Sequence, residues 1–409
     1  MPRPLIDEAL RLMALLNCRG AGRGEVTPPP GSAATHAPLG TDARLPFLDS
    51  LRLLALGLLI AYHVGMYYVS WDWHLKSPSA SAALEPWMRL VNPWRMSLLF
   101  LISGAVTAIA LGRGSRGWLS GRLSRLGLPL AAGVLVIVPP QSYWQVVEQM
   151  GYRGSYLDFL PLYLGGHGGF CSATGSCLIL PTWNHLWFLP YLMAYTLLLW
   201  ASVRAAPNWL DRAGNRLSHR LSLLTLLVVP WLVLAAGRLG LRPWFEVTHA
   251  LVDDPLAHAQ YLPAFVAGAI LARTPGAWPA VAQLRLPALL VMLTAWLLQL
   301  SLPDAPIALL RTTYAAQQWA GVMAALGFGW VHLRQPTAWQ RELVHRIFAV
   351  YVLHQTLIIL LAVALRPLAL HPFAEGPLLL GGTVASAWAI VRICEPVKPL
   401  RRWLGLPAV

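Results

Sequence analysis

The 409 residues carry 31 basic and 17 acidic side chains, so charges occupy only 12% of the chain, against about a quarter in ordinary soluble domains. Hydrophobic residues reach 56% and mean hydropathy is +0.54, more apolar surface than a soluble fold of this size can hide. That composition excludes a soluble enzyme, a disordered chain and a disulfide scaffold. What remains is a polytopic integral membrane protein, which the pattern of its apolar runs makes all-helical (all-α).

The net charge of +14 does not point to nucleic acid, because the basic residues form no patch interleaved with aromatics. They are scattered in short clusters between apolar runs, as in membrane loops. Thirty-three prolines and 19 tryptophans also suit a polytopic chain, with broken helices and interfacial indoles. The lipid bilayer is the first partner the composition implies.

In chain order, residues 1–43 read as a cytoplasmic N-terminal extension. The apolar stretch around Leu12–Leu16 is too short for a signal peptide, follows Asp7 and Glu8, and lacks a small-residue cleavage site. Pro28-Pro29-Pro30-Gly31 reads as a flexible linker. Ten apolar runs follow: Phe47–Tyr68, Met96–Leu111, Leu126–Trp144, His185–Val203, Leu221–Ala236, Pro255–Ala272, Leu286–Leu302, Thr312–His332, Ile347–Leu365 and Pro377–Ile393. None alternates with the period of two of a barrel strand, so about ten transmembrane helices are expected. They make one membrane domain over residues 44–395, and 396–409 form a short tail.

If the N-terminus is cytoplasmic, 22 Arg and Lys residues fall in inner segments. Eight fall outside: Lys76, Arg89, Arg95, Arg153, Arg238, Arg242, Arg311 and Arg366. Arg52 lies within the first run. The split alternates loop by loop and places both termini in the cytoplasm. The largest outer segment is Gln145–Asn184, with Cys171 and Cys177. On an oxidising face these could pair; two free thiols is an equal reading. Metal binding is disfavoured, since only His167 is near and no four-ligand spacing appears.

The first run carries the sharpest signal. Arg52 and His63 are eleven residues apart, nearly eclipsed on a helix and about 16 Å apart along its axis. Asp49 lies one turn below Arg52, whose better partner it is. Asp49 and Arg52 also read as interfacial residues, with Arg52 snorkelling outward. An imidazole well inside a span costs a few kcal/mol and normally faces a cavity or a partner. It titrates near neutrality, which suits a general base, although a structural hydrogen bond between helices is the other reading.

The pattern Asp49-x-Leu51-Arg52, ten residues, His63 resembles the arginine/histidine signature of the acyltransferase-3 family of integral-membrane O-acyltransferases. Further pieces resemble that family in order: Arg95-Met96 with Phe100-Leu101-Ile102-Ser103-Gly104, Arg122-Leu-Ser-Arg125-Leu-Gly-Leu-Pro129, His185-Leu186-Trp187-Phe188-Leu189 and Tyr351-Val-Leu-His354-Gln355. The likeness runs from about residue 45 to 365. Phe47-Leu48-Asp49-Ser50, Trp73-His74 and Arg95-Met96 most resemble the OpgC/MdoC branch, associated with succinylation of periplasmic glucans.

The resemblance implies transfer of an acyl group from cytoplasmic acyl-CoA, succinyl-CoA or acetyl-CoA, to a hydroxyl of an extracytoplasmic glycan in a bacterial inner membrane. Arg52, Arg122 and Arg125 would engage the phosphates of the acyl-CoA donor; topology alone also explains inner arginines. His63 would deprotonate the acceptor or carry the acyl group, with Asp49 orienting Arg52. Arg95, against the positive-inside trend, would bind an acyl carboxylate or pair with Asp72 or Glu85; structural pairing is slightly favoured. His74, His185, Trp187 and His354 are candidate acceptor contacts. For Trp183 and Trp187 the aromatic belt of a membrane surface is the favoured explanation, and Ser103-Gly104 reads also as a close-packing pair. Two other classes share these features: a transporter or flippase that leaves its substrate unmodified, and a sensor in which His63 titrates without turnover.

Overall fold

A computed structural model describes residues 45–407 apart from 115, 116, 173, 174 and 176. The extension expected over 1–43 lies outside them. All ten apolar runs fall on helices, and no β-strand forms among the described residues. The helices are α1 (Pro46–Tyr68), α2 (Glu85–Gly112), α3 (Trp118–Ala132), α4 (Pro139–Met150), α5 (Tyr156–Leu164), α6 (Phe188–Ala205), α7 (Trp209–Ser218) and α8 (Val229–Leu241). After them come α9 (Pro255–Leu271), α10 (Ala277–Gln283), α11 (Arg285–Ser301), α12 (Ile307–His332), α13 (Ala338–Leu365), α14 (Pro372–Cys394) and α15 (Lys398–Trp403).

Among the described residues seven helices are long and apolar enough to cross a membrane alone, or eight if α10 and α11, bent by 54°, form one broken span. Two of the expected runs fall short of that standard, α9 because it is short and α12 because it carries polar residues. α9 has 17 residues and none is exposed; α12 carries Arg311, Gln317 and Gln318, and none of its residues from Leu310 to Trp330 is exposed. Helices screened from lipid by their neighbours need not be apolar all round. α1 shows the opposite arrangement. Leu54, Gly57, Leu58 and Ala61 make an exposed stripe at helical spacing, while Phe47, Leu51, Ala55 and Leu59 enter the main apolar core. Ile60, Val64 and Tyr67 enter a second core shared with α13 and α14. His63 lies off the exposed stripe.

The run Leu126–Trp144 does not form one rod. α3 passes into a π-turn over Gly133–Ile137 and stops at Val138, where Pro139 and Pro140 remove two N–H donors. Carbonyls freed by this break are taken by side chains: Tyr163 donates to Val134 (2.9 Å) and Thr356 to Ile137 (2.6 Å). α4 restarts with Gln141 in its first turn, and the break aims this amide at the protein interior, where it is fully buried.

α2 and α9 approach to backbone contact at Gly104 and Gly268. A Cβ on Gly104 would collide with the carbonyl of Phe265, and one on Gly268 with that of Leu101. Ser103-Gly104 is therefore the close-packing element its residue types suggest. The segment after α4 packs on that helix through a cluster of Val146, Phe159, Tyr163, Phe170 and Leu180. Within it Cys171 and Cys177 are joined in a disulfide.

Candidate active site

His63 on α1 meets His354 on α13, with His63 Nδ1 2.7 Å from His354 Nε2 and the rings stacked 5.0 Å apart. The partners decide which nitrogen carries hydrogen. His354 Nδ1–H donates to the Tyr351 carbonyl one turn back (2.5 Å), so its Nε2 presents a lone pair. His63 Nδ1–H then donates to that lone pair, and His63 Nε2 is left as the basic nitrogen. Two ligands of one tetrahedral metal ion stand about 3.3 Å apart or more, so nitrogens at hydrogen-bond distance make a relay rather than half a metal site.

His185 and His74 enter the same region through an amide network. His185 Nε2–H donates to the Val352 carbonyl (3.0 Å), and its Nδ1 accepts from Gln141 (3.2 Å). Gln141 also donates to Thr356 (2.7 Å) and accepts from Gln355 (3.0 Å) and Asn184 (3.3 Å). Gln355 donates its second hydrogen to His74 Nε2 (2.9 Å), while His74 Nδ1–H donates to Gln145 (2.6 Å). Both amide hydrogens of Gln141 and of Gln355 are used, which fixes these side chains.

His74 stands outside the spanning helices, and burial pushes its imidazole from 6.5 down to about 4, partly opposed by the Gln145 bond. Protonation would put a hydrogen on Nε2 against the Gln355 amide. The folded value lies below the unfolded one, so the unfolded chain takes the proton first as pH falls, and stability is lost between about 6.5 and about 4. Thermal unfolding should therefore show a midpoint that drops across this window, more steeply in the wild type than in His74→Gln. Equal slopes would contradict this account.

Two adjoining cavities border His63. One, of about 310 Å³, is lined by His63, His74, Asn184, His185, Trp187 and Gln355 among others. The second, of about 570 Å³, shares His63, His185 and Trp187 and continues to Arg95, Arg238 and Tyr261. Arg95 is buried at 4% exposure, yet it pairs with neither Asp72 nor Glu85. Glu85 is held by Ser70 and Arg89 instead. The Arg95 guanidinium lies 3.7 Å over the ring of Tyr62, and its Nε and Nη1 have no hydrogen-bond partner. The slightly favoured pairing with an acid is thus replaced by an aromatic face and an open donor edge. Trp187 lines both cavities, and its ring stacks on His249, 4.0 Å away. Asp254, fully buried, accepts from the His249 N–H (2.7 Å) and from Tyr191 (2.7 Å), which holds the His249 loop over the cavity.

The structure therefore gathers His63, His185 and Trp187 at both of these adjoining cavities, with His74 on the first, Arg95 on the second and His354 behind His63. Asp49, Arg52, Arg122 and Arg125 stand elsewhere, at the other end of α1. Arg52 is 3.5 Å from Asp49, the partner expected for it. Arg122 donates to Thr107 (3.2 Å), and Arg52 and Arg125 both lie close enough to repel its charge. Arg125 donates to the Gly405 carbonyl (3.3 Å). Sequence reasoning did not single out Gln141, Arg238 or His249. Arg238 sits two residues past the end of the fifth run and was absorbed into the count of loop charges, although an arginine so near an apolar run is itself a signal.

Together these features define a multi-pass membrane protein with a histidine relay and an arginine-flanked cavity. The chain belongs to the acyltransferase-3 family, whose acyltransferase domain matches residues 45–392. Among curated proteins it is similar to glucans biosynthesis protein C of Escherichia coli, in strain K12, strain O1:K1 / APEC and strain O139:H28. Each is 25% identical over 233 residues, which cover 55% of this chain and 57% of the relative. The chain thus spans little more than half the length of the curated relatives it matches. No solved structure matches. Family and relatives make this a multi-pass bacterial membrane protein.

Proposed function

We propose that the protein is a bacterial inner-membrane O-acyltransferase with about ten spans and cytoplasmic termini. It moves a succinyl or acetyl group from cytoplasmic acyl-CoA to a hydroxyl of an extracytoplasmic glycan such as a periplasmic glucan. The observation that carries this reading is the 2.7 Å contact of His63 with His354 in the wall of a cavity large enough for a sugar ring.

His63 Nε2 takes the proton of the acceptor hydroxyl as the oxygen attacks the acyl carbonyl; the carbon–sulfur bond then breaks, and the sulfur receives that proton. His354 accepts from the opposite edge of the ring and steadies the imidazolium while it lasts. Arg95, in the wall of the second cavity and with two buried donors unpartnered, holds the carboxylate of a diacid acyl group. His74, His185 and Trp187 receive the acceptor sugar. At the inner end, Arg52, Arg122 and Arg125 gather like charges that donor phosphates relieve, and Arg122 Nε is buried without a partner. Asp49 keeps Arg52 in place.

Purified protein given labelled acyl-CoA and glucan should form a glucan ester. Arg52→Ala should raise KM for acyl-CoA by about ten- to a hundredfold, the worth of one charge-assisted hydrogen bond or slightly more. Vesicles that move the glycan and leave it unesterified would make the protein a carrier instead.

A further inference from the structure

Of the eight basic residues assigned to the outer side, five converge. Arg95 and Arg238 flank the cavity beside His63, and Arg89, Arg238, Arg242 and Arg311 line a neighbouring cavity of about 430 Å³. Arg238, Arg242 and Tyr314 are common to both, so the two voids meet at this wall. The outer cavity is built from the ends of α2, α8, α11 and α12 that share one side of the bundle. No acidic side chain lines it among the described residues.

The charges in it are poorly compensated. Arg89 is 3.5 Å from Glu85 and Arg242 is 3.5 Å from Glu246, both single contacts. Arg238, 9% exposed, is held by Gln260 and by Gln318 (3.3 Å), which are neutral, and lies 3.8 Å over the ring of Tyr314. Its Nε and that of Arg311 are buried without a hydrogen-bond partner. Burying guanidinium groups with amides for partners costs free energy that an arriving anion returns. Positive-inside bias also disfavours arginine on this side, so topology does not account for the cluster.

We propose that Arg238, Arg242 and Arg311, with Arg89 at the rim, form an oxyanion subsite that binds a phosphate or carboxylate substituent of the glycan acceptor. This rests on the transfer reaction proposed above. The source is the acceptor rather than a lipid headgroup, because the subsite shares its wall with the cavity that holds His63. A glycan chain lying with one hydroxyl at His63 extends past Tyr314 into the arginines, and the aromatic ring gives its sugars a face to stack on.

The test compares a neutral glucan oligosaccharide with the same oligosaccharide carrying one phosphate monoester, using full-length protein in nanodiscs. The phosphorylated acceptor should show about tenfold higher kcat/KM, the worth of one charge-assisted hydrogen bond. The preference should shrink with added salt. In Arg311→Gln the ratio of the two acceptors should fall towards one, and in Arg311→Lys it should be largely kept. Equal use of both acceptors by the wild type, or a ratio unchanged in Arg311→Gln, overturns the proposal. Nanodiscs of neutral and of anionic lipid provide the other arm: if anionic lipid, and not the phosphorylated glycan, loses affinity in Arg311→Gln, the site belongs to lipid and the proposal fails. Should no ester form with either acceptor, direct binding of the two oligosaccharides still reads the subsite independently of transfer. Tighter binding of the phosphorylated one then supports it, and equal binding refutes it.

Discussion

His63→Ala should lower kcat for acyl transfer by about 10²–10⁴-fold while the protein still inserts and remains monodisperse. Truncation removes the nitrogen that accepts the hydroxyl proton and leaves a small void beside an existing cavity, so the helix packing has little to lose. His354→Ala should do less harm to kcat, because His63 Nε2 survives and only its fixed tautomer and orientation are lost. His354→Gln keeps an acceptor for the His63 Nδ1–H and should recover part of that loss. The order wild type, His354→Gln, His354→Ala, His63→Ala is the signature of a base steadied by a second imidazole. If His63→Ala acylates as fast as wild type, the catalytic assignment is wrong. If omission of acceptor leaves an acyl group on the His63 ring, the imidazole is a nucleophile and not a base.

The part of this site legible in the sequence is the part where chemistry and environment disagree locally. His63 and Arg52 stand out because each is an ionisable residue in an apolar helix, and their spacing of eleven puts them on one face without any knowledge of the other helices. What joins His63 to His354, 291 positions away, is tertiary and could not be read from spacing. Gln141 was hidden for a different reason. The run Leu126–Trp144 is apolar enough to read as one rod, and only the break at Pro139 turns that amide towards His185. Arg238 was hidden by bookkeeping of loop charges, since its sequence position near a helix end is equally that of a topological arginine. Arg95 was visible as an exception, but its neighbours were misjudged: Glu85 faces Ser70 and Arg89, and Tyr62, from the opening helix, covers Arg95 instead. α12 shows how a helix covered by protein along most of its length weakens the apolar signal on which span counting depends.

Gly104→Leu should prevent the protein from being recovered as a folded, monodisperse species, and Gly268→Leu should do the same. At most of the other described glycines an added Cβ meets open space or a side chain that can rotate away. Here each Cβ would meet a carbonyl of the opposing helix, Phe265 or Leu101, and a backbone can yield only by moving the helix. Ordinary overpacking costs about 1–3 kcal/mol; forcing α2 and α9 apart also gives up apolar contact along both helices, so the loss exceeds that range. Separation would carry Arg95 on α2 away from Gln260 and Tyr261 on α9, opening the second cavity, so any folded remnant should transfer poorly. Gly104→Ala adds the same Cβ with less behind it and should lower the thermal midpoint without abolishing folding. Gly57 is the control, because nothing lies within 4 Å of its Cβ position and it belongs to the exposed stripe of α1. Gly57→Leu should therefore unfold at the wild-type temperature. Size-exclusion profiles and thermal unfolding of the four variants decide the matter: a Gly104→Leu protein as stable as Gly57→Leu would mean that α2 and α9 do not cross at backbone contact.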